Sequence, residues 1–177
     1  FTLAIFTFAT DPRRSSRVWS TLLFVLVCAQ GLVGGLRVTE NNVTLAMLHG
    51  VAAQVIFALA AGFATHLWMP QTLSSALPRA RRFKVLATAL MHSLILQMIF
   101  GAVTRHFPGS PHPLWTHASF AIVVVVFAIM AGATAQLVAR ELPPFRKLLS
   151  RTGGAAMAVV VLQFTLGWLA FLARPTG

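Results

Sequence analysis

The side chains of this chain that could do chemistry are few, and two of them recur in a repeated setting. Its 177 residues include six histidines, three acidic residues (Asp11, Glu40 and Glu141) and one cysteine, Cys28. One stretch reads Gln30-Gly31-Leu32-Val33-Gly34-Gly35-Leu36-Arg37, followed after a short connection by Leu48-His49. A second reads Gln97-Met98-Ile99-Phe100-Gly101-Ala102-Val103-Thr104-Arg105, followed by Thr116-His117. In both copies Gln precedes Gly by four residues and Arg precedes His by twelve. A third copy opens at Gln163-Phe164-Thr165-Leu166-Gly167, and the chain ends before a histidine follows. A lone histidine in an apolar helix is often a packing residue. Two at equivalent positions of an internal repeat point to function.

The residue types narrow that function. With three acidic residues, none inside an apolar run, a zinc or di-iron carboxylate site has no ligands to draw on. Cys28 lies within an apolar run, where it reads as a small buried residue, and no disulfide framework is available. Imidazole ligation of heme iron needs only histidines from facing helices and small neighbours that admit the macrocycle. His49 is followed by Gly50, Ala52 and Ala53, and His117 by Ala118, Ser119 and Ala121. His49 and His117 are therefore the candidate heme-iron ligands. Gln30 and Gln97 share a helical face with Gly34 and Gly101, so they either contact the cofactor or bond across helices. Arg37 and Arg105 either snorkel to the interface or pair with a carboxylate such as a heme propionate. His66 and His92 read as structural, His106 adjoins Arg105 at the outer boundary, and His112 reads as a loop residue. Spacing does not decide whether His49 and His117 serve one heme or two.

The elements that must hold these residues follow from composition. Hydrophobic residues make up 57% of the chain and charged residues 10%, with a mean hydropathy of +0.79. A soluble domain carries about a quarter charged residues, so the solvent here is lipid. Segments 18–38, 43–68, 83–105, 114–139 and 153–173 are each long and apolar enough for a spanning helix, and they lack the alternation of barrel strands. Residues 1–10 form a further apolar run, equivalent to about 15 Å of helix. It reads as the end of a span that begins upstream. Breakers fall between the segments: Asn41-Asn42, Pro70 and Pro78, three prolines within 107–113, and Pro143-Pro144. Of the 14 basic residues, all but Arg37, Arg105 and Arg174 fall in the connections 11–17, 70–84 and 140–151. These alternate along the chain, so the positive-inside rule makes them cytoplasmic and turns 39–42 and 106–113 outward. The net charge of +11 is thus a topology signal, not a nucleic-acid platform. The expected fold class is all-α: a polytopic transmembrane bundle of about five complete spans plus a partial N-terminal one, built from repeated helix pairs.

At this point the residues resemble a family. Gln30 to Arg37, followed by Thr44-Leu45-Ala46-Met47-Leu48-His49-Gly50-Val51-Ala52-Ala53-Gln54, resembles the central region of bacterial heme A synthases. There a Gln-x-x-x-Gly-Gly helix end leads into a helix opening Leu-Ala-x-x-His-x-x-x-Ala. Leu96-Gln97-Met98-Ile99-Phe100-Gly101-Ala102, Arg105-His106 and His117 resemble the matching part of the second half, and Leu162-Gln163-Phe164-Thr165-Leu166-Gly167 its next outgoing helix. The resemblance implies eight helices in two pseudo-symmetric halves, with residues 1–69 in the first and 82–177 in the second of one transmembrane domain. It implies a bacterial inner-membrane oxidoreductase that oxidises the C8 methyl of heme O to the formyl group of heme A. Each half would hold heme through two histidines, one heme being the substrate and the other a heme b that passes electrons. His49 would be the second ligand of the first half and His117 the first ligand of the second, with their partners outside these residues. The glutamate of the family's Glu-x-x-His motif has no counterpart here, so no catalytic residue is assigned. Nor do the outward loops carry the cysteine pairs of some members. Beyond the bilayer and the heme substrate, the expected partners are an electron donor, a heme O synthase and a second copy of the chain.

Two other classes compete. An electron-transfer cytochrome b would use the same histidines without altering its heme. A transporter of repeated helix pairs would line a path with Gln, Arg and His, but the glycines cluster toward helix ends, not at mid-membrane breaks. Motif order favours the synthase.

Overall fold

The computed structural model describes residues 1–68, 78–107 and 111–173. The Pro70 breaker, the 70–77 part of the second basic connection, Pro108 and Arg174 lie outside them. The described residues form six helices and one 3-10 turn: α1 (Thr2–Thr10), α2 (Arg14–Thr39), α3 (Val43–Trp68), α4 (Pro78–His106), α5 (His112–Glu141), the 3-10 turn Pro143–Phe145, and α6 (Arg146–Leu172). Among the described residues, five helices are long and apolar enough to cross a membrane. Large side chains such as Leu32, Phe57 and Val159 are exposed at 72%, 73% and 62%, a surface only lipid or further helices can cover. The protein is an all-α polytopic membrane protein.

The helices outrun the apolar segments that predict them. α4 is already helical at Pro78, ahead of the segment expected from residue 83, because the basic residues that follow tolerate helix in water. Pro78 therefore lies in the helix and not in the linker. His112 is likewise no loop residue: it opens α5, with Pro111 as N-cap and Pro113 in the first turn, where proline is tolerated. Asn41-Asn42 does break the chain as expected. Asn41 takes φ 47°, a left-handed conformation that asparagine accepts. Asn42 Oδ1 accepts the Leu45 backbone N–H at 3.1 Å and caps α3.

The chain divides into two compact units, Phe1–Leu73 and Ser74–Gly177. In the first, α2 packs against both α1 and α3. Small polar residues, Thr7, Ser16 and Ser20, are its most buried side chains, as expected where helices meet without a hydrophobic driving force. The α1–α2 corner is tied by Asp11, which accepts the Arg13 backbone N–H at 2.9 Å and its Nη2 at 2.7 Å. That Arg13 contact holds the Asp11 carboxyl well below the usual carboxylate range. The tie is therefore fully formed above that range and is lost only as pH falls far beneath it.

In the second unit α5 is central and packs against α4 and α6. Its buried residues run from Val124 to Ala139, and all but Val124 lie in its second half. There α5 and α6 cross at two glycines: a Cβ on Gly153 would stand 2.9 Å from Ala135 Cβ and 3.0 Å from the Gly132 carbonyl. Beside the crossing, Gln136 Nε2 donates to the Ser150 carbonyl at 2.8 Å, and Ser150 Oγ donates to Gln136 Oε1 at 2.7 Å. Arg79, at the start of α4, pairs with Glu141, at the end of α5. This end of the unit is closed, and the end holding His117 is not.

Because backbone opposes the added carbon, Gly153→Val should cost about 1–3 kcal/mol, read as a lower thermal midpoint in detergent. Gly154→Ala, whose Cβ would meet Gln136 Nε2 at 3.7 Å, should not lower that midpoint and should raise it slightly through helix propensity.

Candidate functional site

The repeat read from the sequence is a repeat of contacts. In the first unit Gln30, on α2, donates from Nε2 to the His49 carbonyl of α3 at 2.6 Å. A Cβ built on Gly34 would stand 2.8 Å from His49 Cε1, 3.2 Å from Nδ1 and 3.5 Å from Nε2. In the second unit Gln97, on α4, donates to the His117 carbonyl of α5 at 3.0 Å. A Cβ on Gly101 would stand 3.0, 3.3 and 3.8 Å from the same three ring atoms of His117.

Helix geometry explains the order of these residues. A helical carbonyl points toward the C-terminus of its helix, whereas the Cα–Cβ bond leans toward the N-terminus. Across a hairpin, the carbonyl of the histidine therefore lies level with one turn of the outgoing helix and its ring with the next. Gln and Gly four residues apart occupy those two turns. The flat ring that the small residue admits is thus the imidazole of the returning helix. Of the neighbouring glycines, Gly31, Gly35 and Gly50 have nothing within 4 Å of a Cβ. In the Gly34-Gly35 pair only the first is needed.

Both histidines are half-buried. Nδ1 of each is fully buried and has no hydrogen-bond partner among the described residues. It is the edge carrying Cε1 and Nδ1 that presses on the glycine, so Nε2 is the nitrogen that an approaching group can reach.

The second unit also holds a cavity of about 640 Å³ among α4, α5 and α6, within the range of small-molecule and cofactor sites. Gln97, Gly101 and Arg105 line it from α4, His117, Ala118 and Ala121 from α5, and Gln163 and Gly167 from α6. The structure therefore brings the second copy of the repeat together with the start of the third. Arg105 is exposed at the end of α4 with its side chain on the cavity wall. Arg37 is exposed at the end of α2 and has no ion-pair partner among the described residues. His92 Nδ1 hydrogen-bonds the Thr88 carbonyl of its own helix at 2.8 Å, and His66 stacks on Phe63. His106 closes α4.

Sequence reasoning missed one wall. Phe164, Trp168 and Phe171 of α6 line the cavity. Their rings meet edge-on, Phe164 to Trp168 at 6.2 Å and Trp168 to Phe171 at 5.5 Å. Trp115 of α5 closes on Phe171 at 5.5 Å. The signal was present in the helical spacing of the three α6 aromatics beside Gln163 and Gly167.

Gly34→Ala and Gly101→Ala should each displace a histidine ring, seen as shifts of the His49 or His117 side-chain resonances in detergent. Gly31→Ala and Gly35→Ala should leave those resonances in place and gain up to about 1 kcal/mol in helix propensity.

No curated protein and no solved structure matches the chain. A family model does: that of COX15-CtaA, described as cytochrome oxidase assembly protein, matches residues 1–112. The matched region contains the whole first Gln–Gly–His set and the Gln97, Gly101 and Arg105 of the second, and it stops short of His117. Covering well over half of the 177 residues, it establishes that the chain belongs to the COX15-CtaA family of cytochrome oxidase assembly proteins.

Proposed function

We propose that this chain belongs to a membrane oxidoreductase that converts heme O to heme A, and that His49 and His117 are residues that would each hold a heme through imidazole. The observation that carries the reading is the duplicated imidazole seat, one copy of which opens on the cavity of about 640 Å³. The donor set fits the group. A buried Nδ1 leaves Nε2 for iron, and Gly101, Ala118, Ala121 and Gly167 keep the adjoining wall low enough for a flat macrocycle. Arg105 offers a guanidinium at the cavity wall for a propionate. In the first unit His49 holds the same position on α3, and Arg37 stands at the end of α2 as Arg105 does at the end of α4.

When bound, heme b supplies one-electron redox chemistry, while the C8 methyl of heme O is the carbon that is oxidised to formyl. The residues of this chain bind and orient. The histidines fix the plane of approach, the α6 aromatics give the macrocycle an apolar face and exclude water, and Gln97 ties the wall that carries His117. No residue of this chain is assigned as a catalytic acid or base. By the positive-inside rule, the charge of the connections 11–17, 70–84 and 140–151 supports a cytoplasmic side for them in a bacterial inner membrane. Methyl-to-formyl oxidation releases electrons, so besides a source of heme O and an electron donor this reaction requires an oxidant to accept them. The formyl oxygen comes from that oxidant or from water.

In the full-length protein, His49→Ala and His117→Ala should each remove part of a bis-imidazole heme spectrum. Unchanged heme content in both would rule out the ligand assignment. Coexpression with a heme O source should yield an extractable formyl heme. Heme content without that product would identify an electron-transfer cytochrome instead.

A further inference from the structure

We propose that Gln30 and Gln97 are positioning residues: each clamps the backbone of its histidine so that the imidazole stays seated on the glycine one turn away, with Nε2 held toward an incoming ligand. The inference rests on the reading that His49 and His117 bind heme.

Three observations carry it. First, the same bond occurs in both units, from Nε2 of the glutamine to the carbonyl of the histidine itself, at 2.6 and 3.0 Å. A helical carbonyl has a second lone pair free after its own helix is served, so the bond is additional to the helix and fixes the neighbour at one residue. Second, the imidazole has no polar partner of its own on Nδ1 among the described residues. A metal-bound histidine is ordinarily oriented by a hydrogen bond at its second nitrogen. Here that role passes to the backbone clamp and the glycine seat. Third, Gln97 Oε1 is itself buried without a partner among the described residues. The amide is therefore committed through its N–H to the histidine carbonyl.

The glutamines consequently act through the histidines. Loss of the clamp frees α5 to slide or rotate on α4, and likewise α3 on α2. The ring then leaves its seat, and its hold on a bound heme would weaken before it is lost.

The test uses the full-length, heme-loaded protein in detergent, with heme content, the low-spin ferric electron paramagnetic resonance signal and the midpoint potential as readouts. Gln97→Met and Gln30→Met keep the length of the side chain and remove the donor. Each should shift the g-values and potential of one heme and lower its occupancy several-fold. Gln97→Glu can donate only when its carboxyl is protonated. Its signal should move toward wild type as the pH is lowered, a dependence the wild type lacks. Gln136→Met, which removes an interhelical bond at the closed end of α5, should lower thermal stability and leave both signals where they are. Unchanged g-values and potentials in both methionine variants, with heme lost in His117→Ala, would show the glutamines to be packing residues only. Equal shifts from Gln97→Met and Gln136→Met would reduce the effect to general loosening and overturn the clamp. Full heme content in His49→Ala and His117→Ala would overturn the underlying ligand reading, and the clamp with it.

Discussion

In lipid no water is available to satisfy a polar side chain, so every amide that enters a helix interface must find its partner on the neighbouring helix. The glutamine-to-histidine-carbonyl bond is that partnership, and the candidate site depends on it. It sets the axial register between outgoing and returning helices at the residue that carries the imidazole. Once the register is set, the lean of the histidine Cβ brings the ring to the next turn, where only glycine leaves room. A leucine or alanine at Gly34 or Gly101 would put carbon where the ring edge already lies. The polar bond and the steric seat are therefore one device read at two levels, and the chain contains it twice.

The second unit divides its labour along the length of α5. Toward Glu141 the helix is buried on small residues and crosses α6 through glycine backbone. Toward His112 the same helices stand apart around a cavity with an aromatic wall. Polar bonds follow the division. Gln136, Ser150, Arg79 and Glu141 tie the closed end, while Gln97 alone of these interhelical bonds lies at the open one. Such an arrangement suits a bulky planar group, which needs a rigid base and a gap of fixed width.

Much of this was legible in the sequence because lipid imposes simple rules. The segment expected at 43–68 is α3 to the residue, since the Asn41-Asn42 turn marks its start. The repeat spacing was equally plain. Helix ends rich in arginine were not: apolar segments end where charge begins, whereas helices continue into water, so α2 and α4 each begin several residues early. The identity of the flat ring facing Gly34 and Gly101 was also hidden. Spacing gives the face of one helix, and the tenant of that face comes from another. The aromatic wall escaped because Phe164, Trp168 and Phe171 resemble the apolar residues around them until the cavity is drawn.

The α5–α6 crossing has a consequence for the order of events during biogenesis. Its contacts are backbone against backbone and small residue against small residue, with a reciprocal amide–hydroxyl pair beside them, and none of them involves the cavity. Nothing in that joint waits for a prosthetic group. The two helices have what they need to associate as soon as both are in the bilayer. On the proposed function, the open end would then meet membrane-dissolved pigment as a finished socket, not as a surface that the pigment must first organise.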